Sequence, residues 1–252
     1  MSVAPTYAIV RPPGRSYPDA LTRLYPPPSV DPVLAREQHD AYVTALRDCG
    51  LNIIVLPPDD EHPDTVFVQD PVIVIGRQAI VARSAMPSRQ GEANALLGVL
   101  GLHMPIVELA PPAILDGGDV LMADERIYVG LSARTNHAAC EQLAKLTGRL
   151  TEGIPVSNDL LHLLSGCTYL GRNCLLTVKS LAAAFPGFEH LVVPEQEAHG
   201  ANVLVIGSRA IIPAGYPRTA ALIEKCGLAV HPVPISEFEK RDGGVTCLSL
   251  LF

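Results

Sequence analysis

Apolar residues recur along this chain with two spacings, and each spacing predicts one kind of secondary structure. Spacings of three and four residues, typical of the buried face of an α-helix, occur in five segments. Asp31-Pro32 and Asn136 are start signals for two of them, and glycines at the ends of several are stop signals. The predicted helices cover residues 31–49, 88–100, 134–147, 177–185 and 216–227.

Between the helices, runs rich in β-formers are interrupted by short turns, a pattern that predicts β-hairpins. One example is Val120-Leu121-Met122, which turns at residues 124–126 into Ile127-Tyr128-Val129. The turns recur at intervals of roughly 36 to 48 residues, which suggests a repeated unit. The predicted hairpins cover residues 66–81, 120–129, 167–178 and 202–212.

The two ends of the sequence supply the missing strands of a fifth unit. The apolar runs at residues 7–10 and 247–252 would pair in one sheet. Termini that share a unit close a ring and leave no bare sheet edge. The pattern therefore predicts an α/β fold, a five-bladed ββαβ propeller whose last blade is closed by the N- and C-terminal strands. A plain open α/β sheet is the alternative.

Composition narrows the classes of protein that this chain can represent. No linker or low-complexity stretch divides its 252 residues, so we expect a single catalytic domain over residues 1–252. A net charge of −7 argues against nucleic acid as a partner. The six cysteines form no C-x-x-C pair, which argues against a zinc ribbon. Without a basic, apolar leader or a membrane-length apolar run, we expect a cytoplasmic protein that does not bind membranes.

Polar residues at the starts of the predicted hairpins are candidates for a shared site, because hairpin starts converge near the axis of a closed ring. A thiol, an imidazole and several carboxylates in one cavity suit nucleophilic catalysis on a cationic, carbonyl-like carbon. The candidates are Asp64, Asp70, Asp116, Asp119, His162 and Cys247.

Most of these residues also have a plainer interpretation. A cysteine or histidine in an apolar run is usually part of the core, and the arginines at 89 and 134 could be surface charges. Cys247 differs because it follows the Gly243-Gly244 turn close to the end of the sequence. Asp70 differs because a carboxylate within an apolar run is costly to bury unless it is paired.

Motifs spread in order over almost the whole sequence resemble those of the dimethylarginine dimethylaminohydrolase family, a member of the pentein, or guanidino-modifying, superfamily. The resemblance implies a five-bladed propeller that hydrolyses Nω-methylated arginine to citrulline and an amine through a covalent cysteine thiouronium, with no metal and no organic cofactor. The matching stretches are REQH at 36–39, PDTVFVQD at 63–70, PSR at 87–89, LDGGDVL at 115–121, VGLSARTN at 129–136, LHLLS at 161–165, AN at 201–202 and GGVTC at 243–247.

The resemblance also implies a role for each candidate residue. Cys247 would be the nucleophile and His162 the general acid and base, with Asp116 orienting the imidazole or contacting the substrate. The partner would be a small guanidino amino acid, and the protein a monomer or homodimer. The implied substrate contacts are Asp70 to the guanidinium, Asp64 to the α-amino group, Arg89 and Arg134 to the α-carboxylate, Phe67 in the pocket wall, Gln69 beside Asp70, and Tyr17 in a lid over residues 11–28.

Two departures from the family pattern keep other functions open. Gln69 stands where many members have Glu, so the preferred methylation state is open, and Tyr17 stands about where a lid leucine is often found. A deiminase acting on free arginine or another guanidino compound is therefore one alternative. A pentein ring that only binds partners is another, and a third is that the Cys–His pocket takes up zinc as an inhibitor.

Overall fold

Fifteen strands in five three-stranded sheets form the framework of the protein in the computed structural model, which describes residues 4–252. In chain order the strands are β1 (Tyr7–Val10), β2 (Asn52–Val55), β3 (Val72–Ile75), β4 (Gln78–Val81), β5 (Ile106–Glu108), β6 (Val120–Ala123), β7 (Arg126–Leu131), β8 (Leu150–Pro155), β9 (Cys167–Gly171), β10 (Cys174–Thr177), β11 (Glu189–Val192), β12 (Leu204–Ile206), β13 (Arg209–Pro213), β14 (Ala229–Val233) and β15 (Leu250–Leu251). The helices are α1 (Pro32–Asp48), α2 (Asn94–Leu100), α3 (His137–Thr147), α4 (Lys179–Ala182), α5 (Pro217–Lys225) and α6 (Ser236–Glu239).

All five sheets have the same internal order. Four begin with an antiparallel hairpin, continue through a helix and end with a strand parallel to the second hairpin strand, as in β6–β7–α3–β8. A parallel pair needs such a crossover, and a helix is its usual form. First strands of neighbouring sheets lie against one another, β15 with β3, β6 with β9 and β9 with β12. The predicted five ββαβ units are therefore confirmed.

The fifth sheet joins the two ends of the chain. Strand β15 pairs antiparallel with β1, with Ala8 opposite Leu251 and Ile9 opposite Leu250, and β1 pairs parallel with β2. The predicted closure by the terminal strands is confirmed, and the open sheet is excluded. The strand is shorter than expected, since Cys247 lies in the 3-10 turn Val245–Leu248 that precedes it.

A 3-10 turn precedes the first strand of every sheet, and most candidate site residues lie in or next to these turns rather than in the strands, while Asp70 lies in the irregular segment after the first turn. The first hairpin shows why. Pro71 has no N–H to donate to a ladder, so strand β3 begins only at Val72, and the run predicted as strand is a 3-10 turn followed by an irregular segment. The five turns are Pro63–Val66, Gly117–Asp119, Leu163–Ser165, Glu195–Ala201 and Val245–Leu248.

Helices cover the outside of the sheets, and their boundaries follow local signals. Asp31 caps α1 by accepting hydrogen bonds from the Val33 and Leu34 amides, and Asn136 caps α3 through the Ala139 amide, as the sequence predicts. Predicted residues 88–93 lie outside α2, and the short helix α6 was missed. No helix in the part of the chain described here is long and apolar enough to cross a membrane.

We predict that Leu250→Ala lowers the free energy of unfolding by about 2–5 kcal/mol, because Leu250 is buried where β15 closes the ring. Leu150→Ala, at a leucine that is 60% exposed, is the matched control and should change it by less than about 0.5 kcal/mol. Urea unfolding followed by circular dichroism measures both. Equal effects of the two substitutions would contradict a stabilising contribution from Leu250 in the closing strand.

Candidate active site

Cys247 is held by its own turn with the sulfur facing a cavity. The Gly244 amide donates to the Cys247 Sγ at 3.5 Å. Gly244 must lack a side chain, because a Cβ there would overlap the Asn202 carboxamide. Burial, with the Asp70 carboxylate nearby, raises the pKa of the Cys247 thiol to about 12. Without a ligand the sulfur is therefore a neutral thiol at physiological pH.

Asn202 ties the Cys247 turn to the His162 turn. Its Nδ2 donates to the Leu164 carbonyl and to Thr246 Oγ1, both at 2.8 Å, and its Oδ1 accepts from the Thr246 amide at 3.1 Å. One buried side chain thus fixes the residues next to both the thiol and the imidazole. The sequence motif at 201–202 marked the position but gave no contact that would assign this role.

His162 lies between two carboxylates. Its Nε2 is 3.3 Å from Asp116 Oδ2, and its Nδ1 is 4.0 Å from Asp70 Oδ1. Burial alone would lower the pKa of this imidazole, but the charge of Asp70 and the hydrogen bond to Asp116 outweigh burial, so the pKa of His162 is raised. The ring is poised to hold a proton that it can later give to a leaving group.

Asp119, to which the resemblance gave no role, stabilises the Leu163–Ser165 turn that follows His162. Its carboxylate accepts from the Leu163 amide at 2.8 Å, from Ser132 Oγ at 2.6 Å and from Thr135 Oγ1 at 2.7 Å. Gly118 passes close to the imidazole, and a Cβ there would collide with the ring. The Gly-Gly pair before Asp119 therefore allows the chain to pass beneath His162.

Two arginines neutralise the carboxylates that flank His162. Arg134 Nη1 donates to Asp116 Oδ2 at 3.2 Å, and Arg89 Nη1 donates to Asp70 Oδ2 at 2.6 Å. Burial would raise the pKa of Asp116, but His162 and Arg89 lower it to about 2. A second partner of Arg89 is the buried Glu92, whose Oε2 lies 2.8 Å from Nη2. Neither arginine is a free surface charge.

Cys247, His162, Asp70 and the two arginines line one cavity of about 150 Å³. Asp64, at its edge, accepts a hydrogen bond from the Leu21 amide at 3.1 Å, and burial raises the pKa of Asp64. Leu21, Thr22 and Arg23 also line this cavity. The predicted site residues that line this cavity are Asp64, Phe67, Asp70, Arg89, Arg134, His162 and Cys247.

The segment predicted as a lid, residues 11–28, lies over this cavity and is fastened at several points. The Arg23 amide donates to Asp242 Oδ2 at 2.7 Å, and Arg241 Nη1 donates to the Pro28 carbonyl at 3.0 Å. Leu21, Arg23 and Asp242 are thus site residues that the sequence did not reveal, because their role comes from loop contacts that no periodic pattern records.

Tyr17 does not lie where the resemblance implied. It is almost fully buried, its hydroxyl donates to the Glu237 carbonyl at 3.1 Å, and its ring packs against Phe67 and Phe238. Tyrosine has an apolar ring and one polar hydroxyl. Beneath the segment, the ring finds aromatic contacts and the hydroxyl finds a carbonyl that accepts its hydrogen bond. Leu21, four residues later, lines the cavity instead.

Gln69 also differs from expectation. In the irregular segment before β3, Asp70 lines the active-site cavity, whereas the Gln69 side chain is turned to another side of the chain. There it borders a separate cavity of about 320 Å³, together with Gly117 and Thr246. The amide is therefore not directly beside the position of a guanidinium held by Asp70.

One group of side chains could hold a metal ion within the described part of the chain. Ligand atoms of Asp70, Asp116 and His162 all lie within 4.8 Å of one another. Both carboxylates are already paired with arginines, however, so a divalent cation would have to compete with Arg89 and Arg134. An organic cation that binds alongside these pairs fits the charge pattern better.

Comparison with known proteins gives a family model that matches half of this chain and relatives that match nearly all of it. The model of the family described as N,N dimethylarginine dimethylhydrolase, eukaryotic, matches residues 31–156. The N(G),N(G)-dimethylarginine dimethylaminohydrolase of Pseudomonas aeruginosa is 37% identical over 98% of this chain and 99% of its own length. The protein of the same name from Streptomyces coelicolor is 38% identical over 96% of this chain and 95% of its own.

The fold agrees equally well with a solved structure. A mutant of the Pseudomonas aeruginosa enzyme complexed with citrulline superposes with a TM-score of 0.94 at 36% identity, covering 99% of this chain and all, 100%, of the other. The resemblance read from the motifs is thereby confirmed, as is the propeller that it implied.

We predict that alkylation of Cys247 by iodoacetamide accelerates about tenfold per pH unit from pH 7 to 10. A pKa raised to about 12 leaves roughly one thiolate in ten thousand at pH 8, and that fraction rises in proportion to hydroxide. Peptide mass spectrometry resolves Cys247 from the other cysteines, with Cys247→Ser as the blank. A rate that levels off below pH 9 would contradict the buried, neutral thiol.

We also predict that Asn202→Ala lowers the free energy of unfolding by about 1–3 kcal/mol, because it leaves buried groups of Leu164 and Thr246 unpaired. The control is Asn158→Ala, at an exposed position, which should be close to neutral. Urea unfolding measures both. If the two variants are equally stable, Asn202 is not the tie between the two turns.

Proposed function

The chain belongs to the dimethylarginine dimethylaminohydrolase family, and we propose that it hydrolyses Nω-methylated arginine to citrulline and a methylamine. One observation carries the proposal: the Cys247 thiol and the His162 imidazole face a single cavity that also contains paired carboxylates and arginines. This set matches a zwitterionic amino acid with a cationic end. The names of the relatives and the citrulline complex of the Pseudomonas enzyme support the same substrate class.

In the proposed complex, charge sets the orientation of the substrate. Arg134 is a fork-shaped donor for the α-carboxylate and Asp64 an acceptor for the α-amino group. Arg89 would serve the carboxylate too, although it is now held by Asp70 and Glu92. The guanidinium would then lie against Asp70, between the thiol and the imidazole. Asp70 must exchange part of its pairing with Arg89 for the substrate.

The chemistry follows from these positions. The Cys247 thiol releases its proton to solvent when the cationic substrate binds, the resulting thiolate attacks the guanidino carbon, and a C–S bond forms. The C–N bond to the methylated nitrogen breaks, its electron pair goes to nitrogen, and His162 supplies the proton to the departing amine. Water, giving its proton to His162, then attacks the thiouronium carbon, the C–S bond breaks, and citrulline leaves. Asp116 keeps the ring in place through both steps.

A bound cation would allow the neutral Cys247 thiol to ionise. Arg89 and Arg134 already neutralise Asp70 and Asp116, and burial raises the pKa of the Cys247 thiol to about 12. A guanidinium held near the sulfur adds a positive charge that favours the thiolate. The thiol would therefore ionise mainly when substrate is present, and the free site would be protected from indiscriminate reaction with other electrophiles.

The direct test is citrulline formation by the intact protein from dimethylarginine, monomethylarginine and arginine in separate reactions. We expect turnover of the methylated substrates and its loss in Cys247→Ser. Turnover of unmethylated arginine alone would make the protein a deiminase. An absence of turnover on every guanidine would instead favour the ring that only binds partners.

We predict that Arg134→Ala raises KM for the methylated substrate at least about tenfold, because a charge-assisted contact to the carboxylate is lost. Arg36→Ala is the control, since Arg36 is exposed and pairs only across its own helix with Asp40. Steady-state citrulline assays give both constants. If KM is unchanged in Arg134→Ala as it is in the control, Arg134 does not bind the substrate carboxylate.

A further inference from the structure

The reactive pair lies at the junction of two cavities. Cys247 and His162 line the smaller cavity, which holds the arginines, and also a second cavity of about 240 Å³. Both cavities are lined by Arg23, Asp242 and Gly243 in addition to the thiol and the imidazole. The proposed reaction uses only the smaller one, which leaves the larger without a function.

Charge decides which end of the substrate faces each cavity. The two candidate carboxylate donors, Arg89 and Arg134, and the ammonium acceptor Asp64 line the smaller cavity and not the larger. Arg23 lines both, but it is paired with Asp242. With the amino-acid end in the smaller cavity and the guanidino carbon at the sulfur, the substituted nitrogen points toward the larger cavity.

The second cavity suits an alkyl group that departs as an amine. Leu160, Leu164 and Ala198 provide apolar surface, and the carboxylates of Asp159 and Glu239 stand at its lining. At roughly 30 Å³ per water, 240 Å³ corresponds to about eight waters, more than the three heavy atoms of dimethylamine need. An alkylammonium product would meet both apolar contacts and negative charge on its way out.

We propose that this second cavity is a leaving-group subsite, and that the enzyme hydrolyses arginines whose Nω-substituent is a longer alkyl chain, up to about n-butyl. The inference rests on the proposed function and extends its substrate class. The bonds that change are the same: C–S forms, the C–N bond to the alkylated nitrogen breaks, and the alkylamine takes the proton from His162. Water then replaces sulfur to give citrulline.

The first test uses the unmodified protein and compares kcat/KM for dimethylarginine, Nω-propylarginine and Nω-butylarginine. The inference predicts values for the longer substrates within about tenfold of dimethylarginine, together with release of the matching alkylamine. A fall of about a hundredfold or more at propyl overturns it while leaving the proposed function intact. Failure to hydrolyse dimethylarginine itself would instead overturn the proposed function, and the inference with it.

The second test narrows the cavity. Ala198→Leu places three more carbons in its wall, and the matched control is Ala184→Leu, at an alanine that is half-buried against the same core cluster but lines neither cavity. In Ala198→Leu we expect kcat/KM for the butyl substrate to fall at least about tenfold relative to dimethylarginine, with no change of that ratio in the control.

The inference is overturned if the ratio of kcat/KM for the butyl substrate to kcat/KM for dimethylarginine is unchanged in Ala198→Leu, or altered equally in both variants. In either case the second cavity is not a leaving-group subsite. Circular dichroism and thermal unfolding of both variants identify a general loss of structure. If Ala198→Leu does not fold, the substrate series on the unmodified protein decides alone.

Discussion

The placement of a histidine between two buried carboxylates is the constraint on which the rest of the structure depends. Asp116 and Asp70 hold the His162 ring from opposite nitrogens, and each carboxylate has an arginine on its other side. Buried charges persist only when they are paired, so none of these side chains could be removed without stranding another. The network raises the pKa of the imidazole, while burial and the Asp70 carboxylate raise the pKa of the neighbouring thiol, which stays neutral until another cation arrives.

The propeller supplies this arrangement through a repeated local feature. In each blade a 3-10 turn precedes the first strand. Residues in or next to these turns line the two adjoining cavities, namely Asp64, His162, Asn202 and Cys247, and Asp116 contacts His162. The regular strands then need only apolar residues, and the irregular turns carry the chemistry. Closure by β15 matters because the same turn that holds Cys247 leads directly into the closing strand.

The sequence predicted those features that have a period or a motif. Hairpin spacing gave the five units, and apolar terminal runs gave the closed blade. Family motifs brought Cys247, His162 and Asp70 to one cavity correctly. Gln69 and Tyr17 were assigned by their neighbours in sequence, but Gln69, in an irregular segment, borders a separate cavity, and Tyr17 packs against aromatic rings beneath the lid. Leu21, Glu92 and Asn202 act through contacts distant in sequence or inside irregular loops, where no pattern indicates the partner.

The most direct measurement is the intact mass of the protein after acid quenching during turnover of dimethylarginine, for the unmodified protein and for Cys247→Ser. Attack by Cys247 predicts a mass increase equal to the substrate less dimethylamine in the unmodified protein, located by peptide mapping on Cys247, and no increase in the variant. Citrulline formation by the unmodified protein with no adduct, or with an adduct on a different residue, would contradict the account.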